Sequence, residues 1–170
     1  MSAVVVFFSR SGENLINGKP VKISIGNTEL LAQKIAERLN CQRIQLEEMD
    51  RYPEEYKNTV DRAAYEKQEN KRIAYHPVAI DRLKIDTLFL GYPNWWGSYP
   101  RIIATFLEDF ETDGLAIYPF CTHEGSAFGS SLNELKEQCP NATIHCGLPV
   151  RGSRVDRSDI AIENWLLMDK

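Results

Sequence analysis

The stretch Ala3-Val4-Val5-Val6-Phe7-Phe8 constrains the fold of this 170-residue chain more than any other. It is almost continuously apolar and rich in β-branched and aromatic side chains. A strand that reads this way has both faces covered, as a central strand of a parallel sheet does. Parallel neighbours need crossovers, usually helical and right-handed. The first six structured residues therefore ask for helices on both sides of a sheet.

The rest of the chain supplies them. Arg43-Ile44-Gln45-Leu46 is predicted as a second strand, and Thr87-Leu88-Phe89-Leu90 as a third. Leu115 to Phe120 and Ala142 to Cys146 make a fourth and a fifth. Apolar stripes at helical spacing lie between them: Leu31, Ile35 and Leu39; Tyr56, Val60, Ala63 and Ala64; Ile103, Phe106, Leu107 and Phe110. Phe128, Leu132, Leu135 and Cys139 form a further stripe, and Ile162, Trp165 and Leu166 sit in a last helix from about Ser158 to Met168. Glu66 to Arg72, mostly charged, reads as a solvated helix end. The fold class is α/β: a three-layer, doubly wound sheet in one domain spanning 1–170.

One segment breaks the pattern. Between the first strand and its helix, Asn17-Gly18 stands between short apolar stretches, and Val21, Ile23 and Ile25 alternate with polar residues. This is a β-hairpin signal, with Asn17 and Gly18 supplying positive φ angles. The alternating residues are expected to cover an apolar surface, because a lone hairpin is marginal in water.

Composition excludes several function classes. A net charge of −4 does not suit a nucleic-acid binder, and no apolar run approaches a membrane span. Cys41, Cys121, Cys139 and Cys146 form no Cys-x-x-Cys pair, so zinc or iron–sulfur spacing is absent and buried thiols in a reducing cytosol are expected. The first residues show no signal-peptide pattern, and the chain reads as cytoplasmic.

Three loops follow strands one, three and four, and in a doubly wound sheet all open on one edge. The first, Ser9-Arg10-Ser11-Gly12, offers hydroxyls, and Asn27-Thr28 opens a helix whose unpaired amides favour an anion. Neither a nucleoside-triphosphate loop nor a dinucleotide fingerprint is present. The second loop, Pro93-Asn94-Trp95-Trp96-Gly97, carries flat apolar surface suited to a flat aromatic ligand. Ser98 is placed near the cap of the following helix and Pro100 in its first turn. The third, Thr122-His123-Glu124-Gly125-Ser126, holds His123, either an acid–base group or a loop histidine bonded to backbone.

With these motifs in order, Phe8-Ser9-Arg10-Ser11-Gly12, Gly26-Asn27-Thr28, Gly91 to Gly97 and Thr122 to Ser126, the chain resembles the flavodoxin-like family. It is most similar to the group in which a hairpin splits the phosphate loop. The resemblance covers nearly the whole chain. It implies a five-stranded parallel sheet in order 2-1-3-4-5, with flavin mononucleotide (FMN) at the switch between strands one and three. It assigns the phosphate to Ser9, Arg10, Ser11, Asn27 and Thr28. It assigns the flavin ring to Pro93, Asn94, Trp95, Trp96 and Gly97, with Thr122, His123, Gly125 and Ser126. The insert departs from the usual pattern, because Gly12-Glu13-Asn14 imitates the ending that Gly26-Asn27-Thr28 repeats. Asn27 is favoured for the phosphate, since a helix follows it.

Two functions follow from the resemblance. The first is electron transfer with a redox partner protein. The second is FMN-dependent reduction of a quinone-type acceptor by a reduced nicotinamide. A regulatory domain that has lost its cofactor site is the third alternative, and a second copy of the chain is a further candidate partner. No metal site is expected.

Overall fold

The computed structural model describes residues 2–168. β1 (Ala3–Phe7) lies at the centre, parallel to β4 (Gln42–Gln45) on one side and to β5 (Thr87–Pro93) on the other. β5 pairs in parallel with β6 (Ala116–His123). Beyond β6 lie two short segments, β7 (Thr143–Ile144) and β8 (Leu148–Arg151), both parallel to it. Counting only strands of this sheet, the order is 2-1-3-4-5, with the fifth position split.

Both faces of β1 are covered, as its sequence requires. Val5 and Phe7 pack with Phe89, Phe120 and the inner faces of α1 (Asn27–Leu39) and α5 (Asp159–Leu167). Val4, Val6 and Phe8 join Leu88, Leu90 and the apolar face of α3 (Arg101–Asp109), with Leu135 of α4 (Ser131–Gln138). Gly91 is required where β5 meets β6, since a Cβ there would lie 2.2 Å from the Phe120 ring.

The structure departs from the sequence reading at several points. β5 and β6 run three residues past the predicted ends, to Pro93 and His123, and lift the loops above the sheet edge. The predicted fifth strand keeps only Thr143 and Ile144; the chain leaves the ladder and rejoins it as β8. There the Trp165 indole N–H bonds the Cys146 carbonyl at 2.7 Å, giving that carbonyl a partner outside the sheet.

One predicted helix start also shifts. The residue preceding α3 is Pro100, not Ser98, whose hydroxyl serves another partner. α5 begins at Asp159, as the sequence predicts, and the Asp159 carboxylate pairs with Lys34 and Arg38 of α1.

In α2 (Tyr56–Gln68), Glu66 is buried rather than solvated. Its carboxylate accepts from the Tyr52 hydroxyl and from Arg62 Nε, so the charge is paired and hydrogen-bonded.

The insert is a hairpin, β2 (Gly12–Ile16) against β3 (Lys19–Ile23), and Asn17 and Gly18 form its turn at φ 52° and 76°. It does not cover an apolar surface. Val21 and Ile25 are 40% and 44% exposed. Polar contacts hold it instead: Glu13 N–H bonds the Glu54 carbonyl at 3.1 Å, and Lys22 pairs with Glu54.

Candidate functional site

A cavity of about 400 Å³ opens beside the ends of β5 and β6, within the range of small-ligand sites. Its floor and one wall come from Asn94, Trp95, Trp96 and Gly97. His123, Glu124, Gly125 and Ser126 form a second wall, and Tyr56, Thr59, Val60 and Ala63 of α2 a third. Arg10 and Asn14 close the end nearest the hairpin.

The two tryptophans have different surroundings. Trp95 is half-buried and packs edge-on against Phe8 at 5.3 Å and Tyr52 at 4.9 Å. Trp96 is 54% exposed and takes φ of 56°, a left-handed conformation that bulky residues rarely adopt. Gly97 follows at φ 74°, so Trp96-Gly97 are the centre of a tight turn closed by Trp95 and Ser98. The turn is braced from below. Asn94 Oδ1 accepts the Gly97 N–H at 2.9 Å, and Asn94 Nδ2 donates to the Ala127 carbonyl at 2.7 Å. The Trp96 indole N–H bonds the Val60 carbonyl at 3.1 Å, which fixes the ring across the gap to α2.

Behind the turn, Glu134 accepts from the Ser98 hydroxyl at 2.7 Å and from Arg101 at 3.1 Å. Burial alone would raise the Glu134 carboxyl, but these hydrogen bonds and the Arg101 charge outweigh it and hold it below its usual range.

In the third loop the Gly125 N–H donates to His123 Nδ1 at 2.9 Å. A backbone amide is always the donor, so this nitrogen is an acceptor and the proton of the neutral ring sits on Nε2. Burial, and then the nearby Arg151 charge, lower the His123 pKa. Thr122 is buried, and its hydroxyl shares a hydrogen bond of 2.8 Å with that of Thr28. The first turn of α1 is thus joined directly to the end of β6.

The first loop has another arrangement than its sequence suggests. Ser9 Oγ accepts the Glu29 N–H at 3.1 Å and so serves the first turn of α1. The Arg10 guanidinium donates to the carbonyls of Glu13, Pro53 and Glu54. It ties the hairpin base to the start of α2. Ser11 is exposed. Asn27 is the first helical residue of α1, and a Cβ on Gly152 would lie 2.6 Å from its side-chain nitrogen. Asn14 Nδ2 bonds the carbonyls of Arg10 and Gly12. Pro93 ends β5 beneath the tryptophan turn.

The structure therefore brings Asn94, Trp95, Trp96, Gly97, His123, Gly125 and Ser126 into one cavity with Arg10. Ser9, Ser11, Asn27, Thr28, Pro93 and Thr122 lie outside its lining. Sequence reasoning missed Tyr56, Val60 and Ala63 as site residues, taking them as a core face. It also missed Arg151, which reaches the loop from β8 and donates to the Glu124 carbonyl at 2.8 Å. Among the described residues, no helix is long and apolar enough to cross a membrane.

The family model described as flavodoxin matches residues 21–167. Among solved structures, a protein from Bacteroides uniformis ATCC 8492 described as a flavoprotein is similar at 22% identity and TM-score 0.79, over 97% of each chain. One from Bacteroides eggerthii DSM 20697, described likewise, is similar at 24% identity and TM-score 0.73, over 95% of this chain and 98% of its own. A flavoprotein from Lactobacillus acidophilus NCFM, solved in complex with FMN, is similar at 20% identity and TM-score 0.67, over 92% of this chain and 97% of its own. No match was found among curated proteins.

Proposed function

The chain belongs to the flavodoxin family, and from that premise we propose that it binds FMN and transfers electrons through it to a redox partner or a small acceptor in the cytosol. The observation that carries this reading is the cavity itself. It is walled by two tryptophans, Val60 and Ala63, and it lies at the carboxyl end of β5, beside the crossing point between β1 and β5. The similarity to a structure solved with FMN supports the choice of cofactor.

The residues present fit such a group. Trp96 offers an open aromatic face, and a Cβ built on Gly97 would meet nothing within 4 Å, so the turn leaves room beside it. Outside the cavity lining, Ser11, the α1 amides of Asn27 and Thr28, and the first-loop backbone would hold the phosphate, where the helix dipole favours an anion. Ser9 and Arg10 shape that loop by fixing α1 and the hairpin base. Trp95 and Trp96 would orient the ring and exclude water. Asn94, Pro93, Thr122, His123, Gly125 and Ser126 hold the loops that border it. The flavin, when bound, supplies the electron-accepting chemistry, and the protein sets its potential through contacts to the ring edge.

Adding FMN to the purified apoprotein should give the structured absorption of a bound flavin and quench its fluorescence. Flavin that separates quantitatively from the protein on gel filtration would contradict the proposal.

A further inference from the structure

Trp96 reaches from one wall of the cavity to another. Its indole N–H donates to the Val60 carbonyl at 3.1 Å, and its own carbonyl accepts from Lys67 Nζ. Val60 and Lys67 lie about two turns apart on α2, on the face that also presents Tyr56 and Ala63 to the cavity. Two bonds to one helix therefore hold both ends of a single residue.

The walls on either side are fixed. The Tyr56 N–H, at the start of α2, donates to the Glu13 carboxylate at 3.0 Å, and Glu66 ties the far end of the helix to Tyr52. Beneath the turn, the Gly97 carbonyl accepts from the Ser130 N–H at 2.7 Å and from its hydroxyl at 3.0 Å. The Trp96 ring has no such support. It is more than half exposed, and among the described residues no aromatic ring packs on it, whereas Trp95 packs on Phe8 and Tyr52. Releasing the ring strands no polar group. The Val60 carbonyl belongs to the hydrogen-bond ladder of α2 and has a second lone pair, so the indole bond is an additional one. The exposed indole N–H would take water instead. A Cβ on Gly97 would meet nothing within 4 Å, so the side of the turn is open.

We infer that Trp96 is a gate: its ring, latched to Val60 and aimed by Lys67, closes the gap between the tryptophan turn and α2, and swings off α2 to admit a flat ligand before closing again. The moving part is one side chain between two fixed walls, not a loop. Lys67 is a positioning residue, because it holds the left-handed peptide of Trp96 that points the ring at α2. The inference concerns access to the cavity, and only its kinetic test rests on the FMN reading above. A gate of this kind slows entry and exit alike, since a ligand passes only while the ring is off α2.

W96F keeps an aromatic ring but has no N–H for the latch, and K67M keeps Trp96 but not its aim. Stopped-flow mixing with FMN, and displacement of bound FMN, give the two rates. Loss of one hydrogen bond should raise association and dissociation together, by about fivefold in either variant, and leave the affinity within about twofold of the wild type. A rise in the dissociation rate alone would make Trp96 a stacking surface only, and unchanged rates in K67M would remove the latch. Either outcome overturns the gate and leaves FMN binding intact. The apoprotein gives an independent readout. The Trp96 indole N–H resonance should carry the shift of a hydrogen-bonded proton in the wild type and move toward that of free indole in K67M, with Trp95 and Trp165 unmoved. A Trp96 resonance already at the free position, or one that K67M leaves in place, would overturn the gate whether or not FMN binds. A wild type that binds no FMN would overturn the FMN reading alone.

Discussion

Trp95 and Ser98 face one another across a two-residue turn and exchange both backbone hydrogen bonds, at 2.9 and 3.1 Å. The turn requires positive φ at its two central positions, and one of them is Trp96. A glycine there would be relaxed, whereas a tryptophan costs about 1–3 kcal/mol. Backbone strain of this kind collects at functional sites, where the surrounding structure over-determines it. Here the indole bond to Val60 and the Asn94 brace supply that support.

W96G separates stability from binding. Relief of the left-handed strain should leave apoprotein stability in denaturant unchanged or raise it by about 1 kcal/mol. Loss of an aromatic face should weaken FMN about tenfold, or roughly 1.4 kcal/mol. A variant that loses stability and keeps its FMN affinity would show Trp96 to be a packing residue only.

Glu134 links this turn to pH. Its folded-state carboxyl binds a proton more weakly than in the unfolded chain, because Ser98 and Arg101 donate to the charged form. Its contribution is therefore complete above the unfolded value of about 4.3 and is lost as pH falls through the folded value. Thermal unfolding of the wild type should lose more stability between about pH 5 and about pH 2 than that of E134Q. Parallel pH profiles would remove Glu134 from the account.

The hairpin is attached by polar bonds at its base and at its tip, where the Asn17 N–H donates to Glu124 at 3.0 Å. Little apolar surface is buried by it, so its removal should not cost the core. Joining Gly12 directly to Asn27 should give a protein that folds and still binds FMN. Exchange of bound FMN should be faster, because the bridge from Glu54 to Glu124 is gone and Asn14 no longer closes the cavity. Circular dichroism and the flavin off-rate check this. A deletion variant that cannot fold would place the hairpin in the core.

Much of this was legible in the sequence because burial writes itself into local pattern. The apolar run of β1 required helices on both faces, and the two clusters around Val5 and Val6 are those faces. Asn17-Gly18 announced its own turn through backbone chirality. The contribution of α2 was not legible, since an apolar stripe does not say whether it meets a core or a cavity. The hairpin misled for a related reason. The alternation of Val21 and Ile25 has the period of a half-buried strand, yet long-range bonds through Arg10 and Glu54 fix the segment. Arg151 lies in a stretch that reads as loop, and only the register of β8 against β6 brings it to His123.

On the proposed reading, the protein holds an aromatic ring at the Trp95–Ser98 turn and a phosphate at the start of α1. Calorimetric titration of a single apoprotein preparation with FMN and with riboflavin tests it most directly. One equivalent of FMN should bind at least tenfold more tightly than riboflavin, since only FMN can use the α1 amides and Ser11. Equal affinities for the two, or binding of neither, would contradict it.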